Sequence, residues 1–95
     1  MANGHNLFIS YDLHQPGQNY AAVGDAIKAL GSWAKVHQSY WYVDSTMTAE
    51  RAANAIWAVM DKNDKLIVVD TKTNDAYWYN LPNEVSQQIQ ACWNP

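Results

Sequence analysis

Cysteine is almost missing from this chain of 95 residues, and Cys92 stands alone. That excludes an internal disulfide and any cysteine-built zinc site within one chain, and it suits a reducing compartment. Arginine is equally scarce: Arg51 is the single example, and six Lys plus Arg face nine Asp plus Glu for a formal charge of −3. Proteins that grip nucleic acid without regard to sequence rely on many cationic contacts to phosphate, so weak binding at best is expected. No stretch approaches the roughly 20 apolar residues of a membrane span, and Met1 to Asn6 has neither the basic run nor the apolar core of a signal peptide. The expectation is a soluble, cytoplasmic protein that makes no membrane contact.

What the chain has in abundance is aromatic surface. Five Trp and six Tyr, in a composition 48% hydrophobic, argue against disorder. Residues 1–95 read as one domain near the size at which a single core suffices with little to spare. Part of the aromatic surface is therefore expected to be buried between subunits.

The segment Asn6 to Leu13, NLFISYDL, reads as a central strand. Leu7, Phe8, Ile9 and Tyr11 are apolar on both parities of a two-residue period, so both faces need cover. Asp12 ends the strand, and Pro16-Gly17 then turns the chain out of the sheet. Asn19 to Leu30 follows with Tyr20, Val23, Ile27 and Leu30 on one helical face and Gly31 where a left-handed cap belongs. Gly24, poor in a helix interior, points to close packing.

Trp33 to Ser45 is β-rich but too long for an ordinary strand. It divides into Trp33–Val36 and Tyr40–Asp44 around a turn at His37-Gln38-Ser39, or forms one bent strand with a bulge near Ser39. Thr46-Met47-Thr48 offers a hydroxyl cap for a second helix, Ala49–Met60, striped by Ala52, Ile56 and Val59 or Met60 and widened by Trp57. Lys65–Asp70 is an apolar strand, and Ala76–Leu81 an aromatic one that forms a hairpin with it or reaches a partner chain. Asn83 caps a last helix, Glu84–Cys92, whose Val85, Ile89 and Trp93 stripe is too short to stand alone in water and must dock. The order predicts an α+β fold, a ferredoxin-like sandwich (βαββαβ) with an extra C-terminal strand and short helix.

Two segments carry a family resemblance: FISYDL at Phe8–Leu13, and VHQSYWYVDSTMTAE at Val36–Glu50. A strand ending in Tyr-Asp, a helix, Gln-Ser followed by aromatics, a second helix and an apolar strand, in that order, resemble the CRISPR-associated protein 2 superfamily with its VapD-type and SinR-like members. The resemblance spans about residues 7–70 and leaves 76–95 as a C-terminal extension. It implies a ferredoxin-like homodimer with facing sheets and a Mg²⁺-binding aspartate near the dimer axis, at Asp12. It also implies either a metal-dependent endonuclease acting on RNA or DNA or a non-enzymatic scaffold within a larger protein complex. Members acting on nucleic acid carry basic residues on the first helix and its preceding loop, where this chain has only Lys28.

Such a sheet sets Asp12 at one edge with Ser39, Tyr40 and Lys65, leaves His14 and His37 in adjoining loops, and sends Asp44 and Asp70 to the opposite edge as structural carboxylates. In the catalytic reading Asp12 and its twofold mate hold Mg²⁺, which keeps waters and takes one or two carboxylates plus substrate phosphate. Ser39 donates to a phosphate oxygen while a bound water attacks. In the plainer reading Asp12 merely ends its strand and caps the turn. His14 and His37 are general acids, metal ligands or solvated side chains, and His5 belongs to a disordered terminus. Cys92 is a small packed apolar group. Trp41, Tyr42, Tyr77, Trp78 and Tyr79 either stack bases or pack in the sheet and dimer.

Overall fold

β1 (His5–Asp12) lies between two antiparallel neighbours, β3 (Tyr40–Ser45) and β4 (Lys65–Asp70). This is the central position expected of a strand apolar on both parities. In the computed structural model, which describes residues 4–14 and 20–93, β2 (Gly31–His37) adds outside β3 and β5 (Asp75–Tyr79) outside β4. The resulting five-stranded antiparallel sheet runs β2-β3-β1-β4-β5. With α1 (Tyr20–Lys28), α2 (Ala49–Trp57) and α3 (Asn83–Trp93), the domain is a small α+β fold. Among the described residues no helix is long and apolar enough to cross a membrane.

One sheet face makes the core. Leu7, Ile9 and Tyr11 of β1, Trp41 and Val43 of β3, and Leu66 and Val68 of β4 pack beneath Val23 and Ile27 of α1 and Ala49, Ala52, Ala53 and Ile56 of α2. Each buried Leu, Ile or Val contributes about 1.5–3 kcal/mol relative to exposure. The alanine side of α2 lets that helix approach the sheet closely. Thr48 caps it, its hydroxyl oxygen accepting from the Arg51 amide at 3.2 Å. Gly24 is buried against Trp41, and a Cβ there would meet the indole at an ordinary contact of 3.6 Å.

Several local readings shift. Residues 33–45 do form two strands about the 38–39 turn, and a register break between Lys35 and His37 puts the bulge in β2 rather than at Ser39. Gly31 is the first residue of β2, not a helix cap. Its role is close approach, because a Cβ at this position would overlap the Asp44 carbonyl oxygen. The helices stop early, at Lys28 and Trp57, yet Leu30 and Met60 still pack on the core from the turns beyond. Ser45, fully buried, ties the two helix ends together: its hydroxyl donates to the Leu30 carbonyl at 2.7 Å and accepts from the Met47 amide at 3.0 Å. His5 is ordered as the first residue of β1, contrary to the disorder expected so near the terminus.

β5 completes a hairpin with β4 of its own chain, with Asn74 in the left-handed region at φ 55° in the connecting turn. Tyr79 stacks flat on Trp57 of α2, with centroids 4.7 Å apart, so this aromatic strand extends the core side of the sheet.

Candidate functional site

Among the described residues the second sheet face carries only α3, which lies over β4 and β5 and has no buried residue. Cross-strand register sets Tyr42, Phe8, Val69 and Ala76 in one row and His37, Tyr40, Ser10, Ile67 and Trp78 in the next. Along β1 and β4 the residues of this face are only half-buried, in contrast to the sealed parity beneath the helices. Phe8 packs against both tyrosines, at 6.1 Å from Tyr40 and 5.3 Å from Tyr42, and His37 stacks on Tyr40 at 5.4 Å. The His37 ring is thus part of the aromatic surface rather than a loop side chain.

Asp12 lies at the rim of this face. It is exposed, it pairs in register with Lys65, and the two border a shallow cavity of about 160 Å³ with Ser10, Ile67 and Leu81. The 38–39 turn reaches the same edge: the Ser39 carbonyl accepts from the Tyr11 amide at 3.1 Å, and the Gln38 carbonyl accepts from the Tyr11 hydroxyl at 2.8 Å. Trp41 Nε1 donates to that hydroxyl at 3.2 Å. Burial, the largest influence, pushes the Tyr11 phenol above its usual pKa, so it serves as a neutral anchor for the turn. Asp12, Ser39, Tyr40 and Lys65 therefore do share one edge, as the strand order predicts.

His14 is exposed beside that edge, and its backbone rather than its ring is engaged. The His14 amide donates to Asp64 at 2.7 Å, and Asp64 also accepts from the Asp61 amide at 2.8 Å. Asp64 is buried. This carboxylate clamps the chain leaving β1 to the turn entering β4, a role that the polar run Asp61-Lys62-Asn63-Asp64 suggested only as a turn. Residues 15–19, including Pro16-Gly17, lie outside the described residues.

At the opposite edge Asp70 is buried and accepts four hydrogen bonds: from Thr73 Oγ1 at 2.6 Å, His5 Nδ1 at 2.5 Å, the Lys72 amide at 3.0 Å and the Asn6 amide at 3.1 Å. Asp70 is structural, as expected. Its pairing with His5 had no local signal, since the two lie 65 positions apart. Cys92 is exposed on α3, not packed.

Mg²⁺ keeps several waters and takes one or two carboxylates plus a substrate phosphate, so one carboxylate by itself makes a poor site. Among the described residues no three of His, Cys, Asp or Glu converge on one point, so such an ion would lean on Asp12 alone within one chain. The cations near α1 are turned elsewhere: Lys28 Nζ sits 4.9 Å over the Trp33 ring and Lys35 Nζ 5.4 Å over Trp41. No protein-family model, curated protein or solved structure matches this chain.

Proposed function

We propose that the chain is a ferredoxin-like homodimer related to the CRISPR-associated protein 2 and VapD superfamily, working in the cytoplasm as a Mg²⁺-dependent endonuclease on RNA or DNA. The element order β1-α1-β2-β3-α2-β4 and the sheet order β2-β3-β1-β4 support the fold assignment, with β5 and α3 as additions at one side. The observation that carries the functional reading is Asp12, exposed at the end of the central strand, on the rim of a half-buried aromatic face and beside the turn that holds Ser39.

Bound Mg²⁺ supplies Lewis acidity and an activated water for phosphodiester hydrolysis. Asp12 supplies the carboxylate that fixes its position. The Ser39 hydroxyl donates to a phosphate oxygen, and the Lys65 ammonium, on the strand paired with Asp12, offsets phosphate charge. The face around Phe8, Tyr40 and Tyr42 is the docking surface for the second subunit, since aromatic side chains clustered and left half-buried in one chain are the kind that interfaces enrich.

A Mg²⁺ titration followed by NMR tests the site, with cleavage of single- and double-stranded RNA and DNA as the second readout. Wild type should show saturable shifts centred on Asp12 and metal-dependent cleavage, and Asp12→Asn should lose both while keeping its fold. A second reading, a non-enzymatic scaffold with the same fold and dimer, is favoured by the two lysines held over tryptophan rings. It replaces the first if wild type binds no nucleic acid in low salt, where attraction to phosphate is least screened.

A further inference from the structure

α3 lies on the same sheet face as the aromatic rows, but only over one side of it. Trp78 Nε1 donates to Ser86 Oγ at 3.2 Å, and Trp93 Nε1 donates to the Asn74 carbonyl at 2.9 Å. These two bonds hold the helix along β4 and β5, running back beside β5. Five strands at about 4.8 Å spacing span about 19 Å, and a helix with its side chains is about 10 Å across. One helix therefore covers roughly half of the face and leaves a slot about one helix wide over β1, β3 and β2, floored by Phe8, Tyr40 and Tyr42.

The two flanks of α3 differ in chemistry. Toward the slot, Gln88, Ile89, Cys92 and Trp93 border a cavity of about 460 Å³ with Ile67, the Gln88 amide donating to the Cys92 sulfur at 3.2 Å, and Val85, one turn before Ile89, continues the stripe at 41% exposure. Toward the outer edge of β5 the helix presents Gln90, beside Asp75 and Ala76. The helix thus turns a mostly apolar flank, interrupted by Gln88, toward a floor whose aromatic rings stand among Asn6, Ser10 and His37.

We propose that the slot receives α3 of a second copy of this chain, so that two α3 helices lie side by side between two sheets. This rests on the dimer reading above and specifies how that dimer is built. Only one twofold axis in the plane of the face allows it. An axis parallel to the strands, between the helices, sets each α3 over the bare half of the other sheet; an axis across the strands would drive one α3 into the other. Rotation about an axis parallel to the helices leaves them parallel, so Val85, Ile89 and Cys92 each meet their own mates in an isologous contact. Floor, helix top and helix flank give a projected footprint on the order of 600 Å² per subunit, at the lower end of the roughly 600–1,000 Å² per partner that specific interfaces bury.

The arrangement also separates the two metal sites. Sheets with a helix layer between them stand about 20 Å apart, so the two Asp12 carboxylates cannot share one ion. Each subunit carries its own site, in place of the shared site that the family resemblance suggests.

Sedimentation of the full chain at micromolar concentration, together with mild copper-phenanthroline oxidation, tests the proposal. Wild type should sediment as a dimer and be trapped as a disulfide-linked dimer. Cys92→Ser should remain dimeric without the crosslink, and Gln90→Cys in that background should not restore it. Val85→Glu, a substitution at an exposed position that leaves the monomer fold intact by circular dichroism, should weaken association at least tenfold. A wild-type dimer in which Cys92 fails to crosslink and Val85→Glu changes nothing overturns the α3 arrangement and leaves the dimer standing. A wild-type monomer overturns both.

Discussion

His5 and Asp70 meet with 2.5 Å between Nδ1 and Oδ2, joining the first residue of β1 to the last of β4 at the sheet edge away from Asp12. Thr73 and the Asn6 and Lys72 amides complete the donors around the same carboxylate. The pair locks the end of the central strand to the start of the β4–β5 turn.

Asp70→Asn should therefore destabilise the fold by about 2–3 kcal/mol near neutral pH, since hydrogen bonds to a charged group are the stronger kind and the amide cannot accept all four. Burial works against the charged carboxylate, but the bonds from Thr73, His5, Lys72 and Asn6 outweigh it and hold the Asp70 pKa below its usual 3.8. Because the folded value is the depressed one, this stabilisation is complete above pH ~4 and is lost as pH falls through the folded pKa. Urea unfolding of both proteins from pH 7 downward checks it: their difference in free energy should shrink only below about pH 4.

Tyr11→Phe removes the bond to the Gln38 carbonyl and the acceptor for Trp41 Nε1. A loss of about 1–2 kcal/mol is expected, with faster amide exchange at Tyr11, whose N–H is held by the Ser39 carbonyl. Unchanged exchange there would mean that the phenol does not hold the 38–39 turn.

The two buried-side glycines should respond in opposite ways to alanine. Gly31→Ala drives a methyl into the Asp44 carbonyl and must distort the β2–β3 pairing, at a cost of about 2–4 kcal/mol. Gly24→Ala places its methyl in ordinary contact with Trp41 and gains up to about 1 kcal/mol of helix propensity. Melting temperatures moving the same way for both would contradict this.

Deleting 83–95 should lower the melting temperature chiefly by abolishing the dimer that α3 builds, with little loss to the single-chain fold, in which no residue of α3 is buried. It should also promote aggregation by uncovering Trp78 and Ile67. Static light scattering at rising concentration reads the second effect, and Asp12-dependent Mg²⁺ shifts should persist in the truncated chain.

Much of the fold was legible because it is written locally. Lys65–Asp70 is a strand in the structure with the bounds its apolar run suggested, and Thr48 caps α2 as a hydroxyl before an alanine-rich helix should. The break at His37-Gln38-Ser39 followed from length alone. At the candidate site, Asp12, Ser39 and Lys65 were grouped by strand order, which needs no knowledge of side-chain contacts. What failed depended on distant partners. Gly31 looked like a helix cap because a glycine after a helix usually is one, and only the approach of Asp44 from β3 shows its use. His5 looked like a frayed end because its partner lies in β4.

By itself, then, the sequence determined the order of elements, the core stripes of α1 and α2, the acidic balance that speaks against strong phosphate binding, and the placing of Asp12 at the end of a central strand. Those properties come from periodicity and composition, which act over a few residues. Tertiary structure alone decided that α1 and α2 cover one face while α3 covers half of the other. Alternation along β1 leaves Phe8 and Ile9 equally apolar, and the choice between them rests on where helices far along the chain come to pack.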